Sequence, residues 1–363
     1  MFPKSTLKGW LLPPFFLFQL FFSQAYAASL QPYFIVDSQA HSDTVSISDA
    51  LDDWEGDDFT SGKQQWAWSW LEIGVKYQHW GVGFVQRSDF DLRFSKDTAE
   101  LYWRSANKKP LPLGRAYSTA LDANGLKASG LRLMFADAWG ESAHYSFGLS
   151  YLRATYILDG SMGGAANVVN ESDYEFELLI DYHYTEDSLF DRTVDEPSGQ
   201  GFAIDAEFNY QFSEATSIDI QVRDLFANVY WSESPYTEGR ATSERKEYDE
   251  NGYVSINPAL TGFEGIDSQY VQRLSPRWHA QLSHSFIGPY GALLQYRHQY
   301  GRSLFALGAT LSVGQGAVSS SYWPMQNLIE IDWRYRKLRF SIAADQLDKS
   351  ELKSVWLSMS YGQ

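Results

Sequence analysis

Charged side chains recur at every second position of several apolar stretches, and this spacing decides what chemistry they could do. Glu175, Glu177 and Asp181 alternate with Tyr174, Phe176, Ile180 and Tyr182, while Asp205 and Glu207 alternate with Ile204, Ala206 and Phe208. Asp219 and Arg223 alternate with Ile218, Ile220 and Val222, and Glu330, Asp332 and Arg334 with Ile329, Ile331, Trp333 and Tyr335. A period of two places the charges on one face of a strand and the apolar groups on the other. In a soluble sandwich the apolar face turns inward, whereas in a membrane barrel it meets lipid and the ionic face lines a wet lumen. On the barrel reading these ten ionic residues are the expected lumen lining, and their acidic excess favours cations.

Other reactive groups are sparse. His144 and Ser146 are two apart and share a strand face, as do Asp181 and His183, but neither pair has a third partner to complete a nucleophilic site. No catalytic residues are therefore expected, and the chain reads as a non-enzyme. His279 and His284 are five apart and fall on opposite faces of a strand, which excludes a simple two-histidine metal site. The run Asp52-Asp53-Trp54-Glu55-Gly56-Asp57-Asp58 offers hard oxygen ligands, but its spacing does not follow the EF-hand loop. A solvated acidic loop is the simpler reading. No metal and no cofactor are expected, and there is no glycine-rich phosphate loop.

The elements that must carry these groups are strands. Lys4 and Lys8, the apolar run Trp10 to Phe22 and Ala25-Tyr26-Ala27 read as a cleaved signal peptide over residues 1–27. Beyond it no stretch is apolar enough for a membrane-spanning helix, so any membrane role falls to strands. Removing Lys4 and Lys8 takes the formal charge from -16 to -18 (-16 - 2), since residues 1–27 hold no acid. Such acidity disfavours nucleic acid as a partner. There is no cysteine, so disulfides and thiolate metal sites are excluded. Aromatic residues make up 16% of the chain, more than a soluble core readily hides but suited to the interfacial girdles of a barrel.

Residues 28–65 read as an acidic N-terminal segment and 66–361 as a barrel of about fourteen strands. Trp66, Trp68 and Trp70 share a face and are expected to be interfacial anchors. Ala99, Leu101 and Trp103 read as part of a strand, and residues 105–127 and 185–200 read as loops. Residues 231–276 lack clear alternation and form a long loop or plug, with a short strand hinted near Tyr253. With fourteen strands and both ends periplasmic, that segment would fall on the side where turns should be short.

The final alternation, Val355, Leu357, Met359 and Tyr361, resembles the carboxy-terminal recognition strand of bacterial outer-membrane β-barrel proteins, an amphipathic strand with an aromatic near its end. Here Gly362 and Gln363 follow Tyr361. The resemblance is architectural and covers most of the mature chain. It implies an all-β, transmembrane, antiparallel up-and-down barrel in the outer membrane. The implied partners are the lipid bilayer and, through the strand ending at Tyr361, the barrel-insertion machinery. The expected function is a porin-like channel for small hydrophilic solutes. The alternative is a non-conducting barrel that anchors an envelope protein partner.

Overall fold

The computed structural model describes residues 30–187, 189, 192–243, 246–248, 254–256 and 259–362. The expected signal peptide, residues 1–27, and Tyr253 lie outside them. The strands, in chain order, are β1 (Gln31–Ser42), β2 (Gln64–Tyr77), β3 (Trp80–Phe94), β4 (Ala116–Trp139), β5 (Ala143–Asn170), β6 (Asp173–Tyr184), β7 (Ser198–Ser213), β8 (Thr216–Ser232), β9 (Ser234–Thr242), β10 (Lys246–Tyr248), β11 (Val254–Ile256), β12 (Ala259–Asp267), β13 (Tyr270–Arg273), β14 (Arg277–Ser285), β15 (Tyr290–Gln299), β16 (Arg302–Val313), β17 (Gly316–Trp323), β18 (Leu328–Tyr335), β19 (Leu338–Ala344) and β20 (Ser354–Tyr361). Among the described residues two α-helices interrupt them, α1 (Ile47–Leu51) and α2 (Lys96–Ala106), and a single 3-10 turn, Pro324–Gln326, joins β17 to β18.

Fourteen of these strands close into one antiparallel ring. Its order is β1 to β5, then β7, β8 and β14 to β20, with β20 returning to β1. Closure leaves the ring no edge, so the strands satisfy one another's backbone groups without water. The lower half of β5, Ala143 to Ala154, pairs with β7, while its upper half, Leu158 to Asn170, pairs with β6. From β6 the sheet continues to β9 and then β12, and β13 pairs with the top of β8. These strands form an extension above the ring.

The count of fourteen is as expected, but its members differ. β1 lies in the stretch read as an acidic segment, and it seals the barrel. β6, read as a wall strand, stands outside the ring. Those two cancel in the count; what brings the segment after β8 to the other end is the stretch at Ala99 to Trp103, which is helical rather than a wall strand. The short turns at 78–79, 214–215 and 336–337 lie at one end with Gln31 and Tyr361, and the described residues between β8 and β14 lie at the opposite end with the long connections. Ala99, Leu101 and Trp103 belong to α2, whose N-cap is Ser95; the Ser95 hydroxyl accepts from the Thr98 amide at 2.9 Å. β4 begins at Ala116, inside the stretch read as a loop.

The outer face of the ring is apolar. Ile73, Val82, Leu133, Leu149, Phe208 and Ile331 all point outward and are exposed. Leaving such side chains in water would cost about 1.5–3 kcal/mol each, which hydrocarbon removes. Rings cluster at both margins of this band: Trp80 against Phe135 at 4.9 Å and Phe34 against Tyr361 at 6.1 Å near the short turns, Tyr151 against Phe202 at 5.4 Å and Tyr296 against Phe305 at 5.0 Å near the other end. Above the band the outer face stays apolar but is covered by protein. α1, its flanking residues and α2 pack Val45, Ala50, Trp54 and Ala99 onto Ala40, Ala67, Phe90 and Leu92, forming a collar. Among the described residues no helix is long and apolar enough to cross a membrane, so the strands do the spanning.

Candidate functional site in the barrel lumen

The lumen is built from the alternate positions of the same strands. Trp66, Trp68 and Trp70 share their face with Glu72, and all four are buried, so the tryptophans are lumen groups rather than interfacial anchors. The apparent stripe misled because three rings at period two mark a face without saying which side meets lipid. Tyr33, Val85, Leu304, Trp323 and Trp356 join them in one aromatic and aliphatic interior.

An ionic belt crosses this interior at mid-height. Arg87 on β3 donates to both carboxylate oxygens of Asp224 on β8, at 2.6 and 2.8 Å, and to Asp89 at 2.8 Å. Arg277 on β14 donates to Asp89 at 2.7 Å and to the same Asp224 at 2.8 Å. Two guanidiniums and two carboxylates thus balance one another, and the Tyr300 hydroxyl donates to Asp89 at 3.2 Å. All five side chains are buried. A desolvated charge is tolerable only when paired in this way. Where β8 passes Asp205 of β7, three residues, 223 to 225, oppose one, and Asp224 takes a positive φ of 57°. This bulge turns both Arg223 and Asp224 away from lipid.

A second ionic knot lies beside the belt. Arg132 pairs with Asp205 and, at 3.5 Å, with Glu72, which also accepts from the Tyr33 hydroxyl at 2.7 Å and from the Trp70 indole at 3.1 Å. The ring of Tyr33 lies over Gly74, where an added Cβ would stand 2.6 Å from it, and its hydroxyl end lies over Gly83. Across the lumen Glu330 accepts from Arg297 at 3.2 Å, Trp323 at 3.0 Å and Ser341 at 3.0 Å. Arg297 sits over the rings of Trp323 and Trp356, at 4.9 and 4.3 Å.

Below the belt a vestibule of about 700 Å³ opens at the short-turn end, with His79, Asp137 and His144 at its rim. Of the expected lumen residues, Glu207, Asp219, Arg223, Glu330 and Arg334 line it. Asp205 is buried in the Arg132 knot, and Asp332 pairs with Arg334 at 3.0 Å and with Arg339. Glu175, Glu177 and Asp181 are not lumen residues. They keep the parity of the inner face but stand on β6, above the ring and exposed, with Glu177 paired to Arg240 at 2.6 Å. Ser146 and His144 both line the vestibule, but Ser146 donates to Glu207 at 3.2 Å. Among the described residues no group of three or more His, Asp and Glu is placed to hold a metal ion. The sequence reading missed Arg87, Asp89 and Arg277, although Arg87, Asp89, Asp91 and Arg93 share one face of a strand that turns Val82, Phe84, Phe90 and Leu92 to the other.

The mouth at the far end is covered by β13. The Trp231 indole donates to Gln272 at 3.2 Å, and Gln272 donates to the Gly125 carbonyl at 3.0 Å across the opening. Tyr270 stacks on His183 with ring centres 3.6 Å apart, and its hydroxyl donates to Asp159 at 2.7 Å. Burial pushes the Asp159 carboxyl up to about 6. Burial likewise lowers His183 below the usual imidazole range, against the pull of Asp267. Both groups lie above the lipid-facing part of the strands.

A closed ring, an apolar outer band and aromatic margins decide the architecture. The chain is a barrel of the bacterial outer-membrane type. No protein family and no curated relative matches it. Among solved structures it is similar to a TodX deltaS2S3 mutant monoaromatic hydrocarbon channel, with a TM-score of 0.44 and 8% identity over 92% of this chain and 91% of that one. It is similar to the Pseudomonas putida toluene transporter TodX, at 0.38 and 8% over 92% and 88%. A Pseudomonas aeruginosa FadL homologue gives 0.29 and 9% over 93% and 88%. At these scores the likeness carries no inference of its own.

Proposed function

We propose that this chain is an outer-membrane transport barrel, closed at rest, that passes small organic molecules with a largely apolar body. The observation that carries this reading is the interior itself, where a charge-balanced belt set among buried tryptophans occupies the lumen above the vestibule. A diffusion pore for hydrophilic solutes needs a continuous wet path. Passage here requires the belt to part, and a solute that does so meets aromatic walls rather than water. Bilayer measurements test this. The folded protein is expected to give no steady conductance in concentrated potassium chloride and no liposome swelling in sugar, while cells bearing the chain take up a labelled aromatic solute faster than cells without it. Steady ohmic conductance together with sugar permeation would overturn the reading.

One observation favours the anchoring alternative. Among the described residues β12 pairs with β9 alone, and its Phe263 and Ile266 are exposed. That edge could receive a strand from an envelope protein.

A further inference from the structure

Five buried N–H donors at the inner end of the vestibule have no acceptor among the described residues: Trp68 Nε1, Trp356 Nε1, Arg223 Nη1, Arg277 Nε and Arg297 Nε. All five residues line the vestibule. An unmet buried donor is unfavourable, and native structures hold few of them. Register brings these groups together. Trp68 and Trp356 are the two cross-strand partners of Gln39, one on each side of β1. Facing them, Arg223 and Arg277 are directly paired across β8 and β14. Like charges set opposite each other on adjacent strands repel. Arg277 is neutralised by Asp89 and Asp224, but Arg223 has no carboxylate within ion-pair distance among the described residues. Its guanidinium only rests on the rings of Trp68 and Trp70, at 5.5 and 4.8 Å. Asp37 is within electrostatic reach of Arg223, Arg277 and Arg297, and none of the three contacts it directly.

We propose that the inner end of the vestibule is a binding site for the oxyanion group of a small organic acid, held by Arg223 and completed by Arg277, Arg297 and the indoles of Trp68 and Trp356. An oxyanion offers several lone pairs at once, which is what a set of convergent donors lacks. Arg223 supplies the charge, and its planar fork suits a bidentate carboxylate. The indoles add neutral donors and an apolar wall for the body of the acid. The ligand reaches this site from the short-turn end, because the belt closes the other side. The inference rests on the proposed transport reading by naming the chemistry of the solute's head group.

The test is calorimetric titration of the full chain, folded in detergent, with sodium benzoate, using benzyl alcohol as the uncharged analogue. Benzoate is expected to saturate one site and benzyl alcohol to leave it empty. Arg223→Met is expected to weaken benzoate at least tenfold, Arg223→Lys to fall between, and Arg336→Gln, at an exposed turn outside the vestibule, to leave binding unchanged. Heat-modifiable migration confirms that each variant is folded. No binding by the wild type, equal binding by Arg223→Met, or equal loss in Arg336→Gln would overturn the site. A barrel that binds benzoate yet passes no aromatic solute keeps the site and overturns transport. A barrel that transports without binding benzoate does the reverse.

Discussion

Asp224 is the residue on which closure of the lumen turns, and replacing it with alanine should open the barrel. Its carboxylate takes two bonds from Arg87 and one from Arg277 while 2% exposed. Without it, two buried guanidiniums share the single carboxylate of Asp89, and the belt goes from balanced to one net positive charge. Breaking a buried ion pair from one side costs about 3–5 kcal/mol. The closed arrangement loses that amount, whereas an open, hydrated lumen loses little because water solvates both arginines. With about 1.4 kcal/mol per tenfold, the open-to-closed ratio should rise by about two to nearly four orders of magnitude. Single-channel recording reads this directly. The wild type is expected to be silent and Asp224→Ala to show frequent steps with a preference for anions, as the uncompensated arginines require. Asp224→Asn keeps one acceptor oxygen and should open less. An Asp224→Ala barrel that folds, shifts on heating and stays silent would refute the belt as the closing element.

Three further outcomes follow from other parts of the molecule. Gly83→Val drives a side chain into the Tyr33 hydroxyl, breaks its bond to Glu72 and should lower stability by about 1–3 kcal/mol, read as a drop in the temperature at which heat-modifiable migration is lost. Trp54→Ala empties the collar between Phe94 and Tyr102, ring contacts of 5.6 and 5.3 Å, and should cost about 3–5 kcal/mol, seen as protease cleavage near α2 while the ring stays intact. The mouth latch should respond to pH in two windows. The Asp159 carboxyl is raised on folding, so its contribution is full below the ordinary value of 3.8 and is lost as pH rises through about 6. His183 is lowered, so its contribution is present above 6.5 and fades as pH falls through its folded value. Hydrogen exchange at β13 should report both, and Asp159→Asn should remove the first and keep the second.

Alternation along β2, β5, β7 and β18 made the barrel legible in the sequence, because lipid outside and charge inside write the same period-two code. The code does not tell a ring strand from a strand stacked above the ring. Tyr174 to Tyr184 alternates as well as any wall strand, yet its apolar face meets Leu158, Leu189 and Val194 rather than lipid. β1 was not recognised as a wall strand for the opposite reason. Its inward set, Tyr33, Ile35, Asp37 and Gln39, mixes rings, aliphatics and polar groups, so no amphipathic contrast survives. The candidate lumen residues were found only where a charge stood in an otherwise clean strand. Arg223 was among them, but its neighbour within the bulge, Asp224, breaks the alternation and could not be placed without the register shift.

The seam between β1 and β20 sets the order in which this molecule can be made. His41 and Ser354 meet there although they are 313 positions apart in the sequence, against neighbours only a turn apart at most other junctions. Joining ends so distant is the slowest step open to a chain, since the whole loop must be gathered before any contact rewards it. Hairpins such as β18–β19 and β19–β20 can zip early, leaving β1 and β20 as two unsatisfied borders that meet last. Until they do, each border is a template for a foreign strand. Whatever shepherds the nascent sheet into the bilayer must therefore hold these two borders apart from other chains and release them to each other.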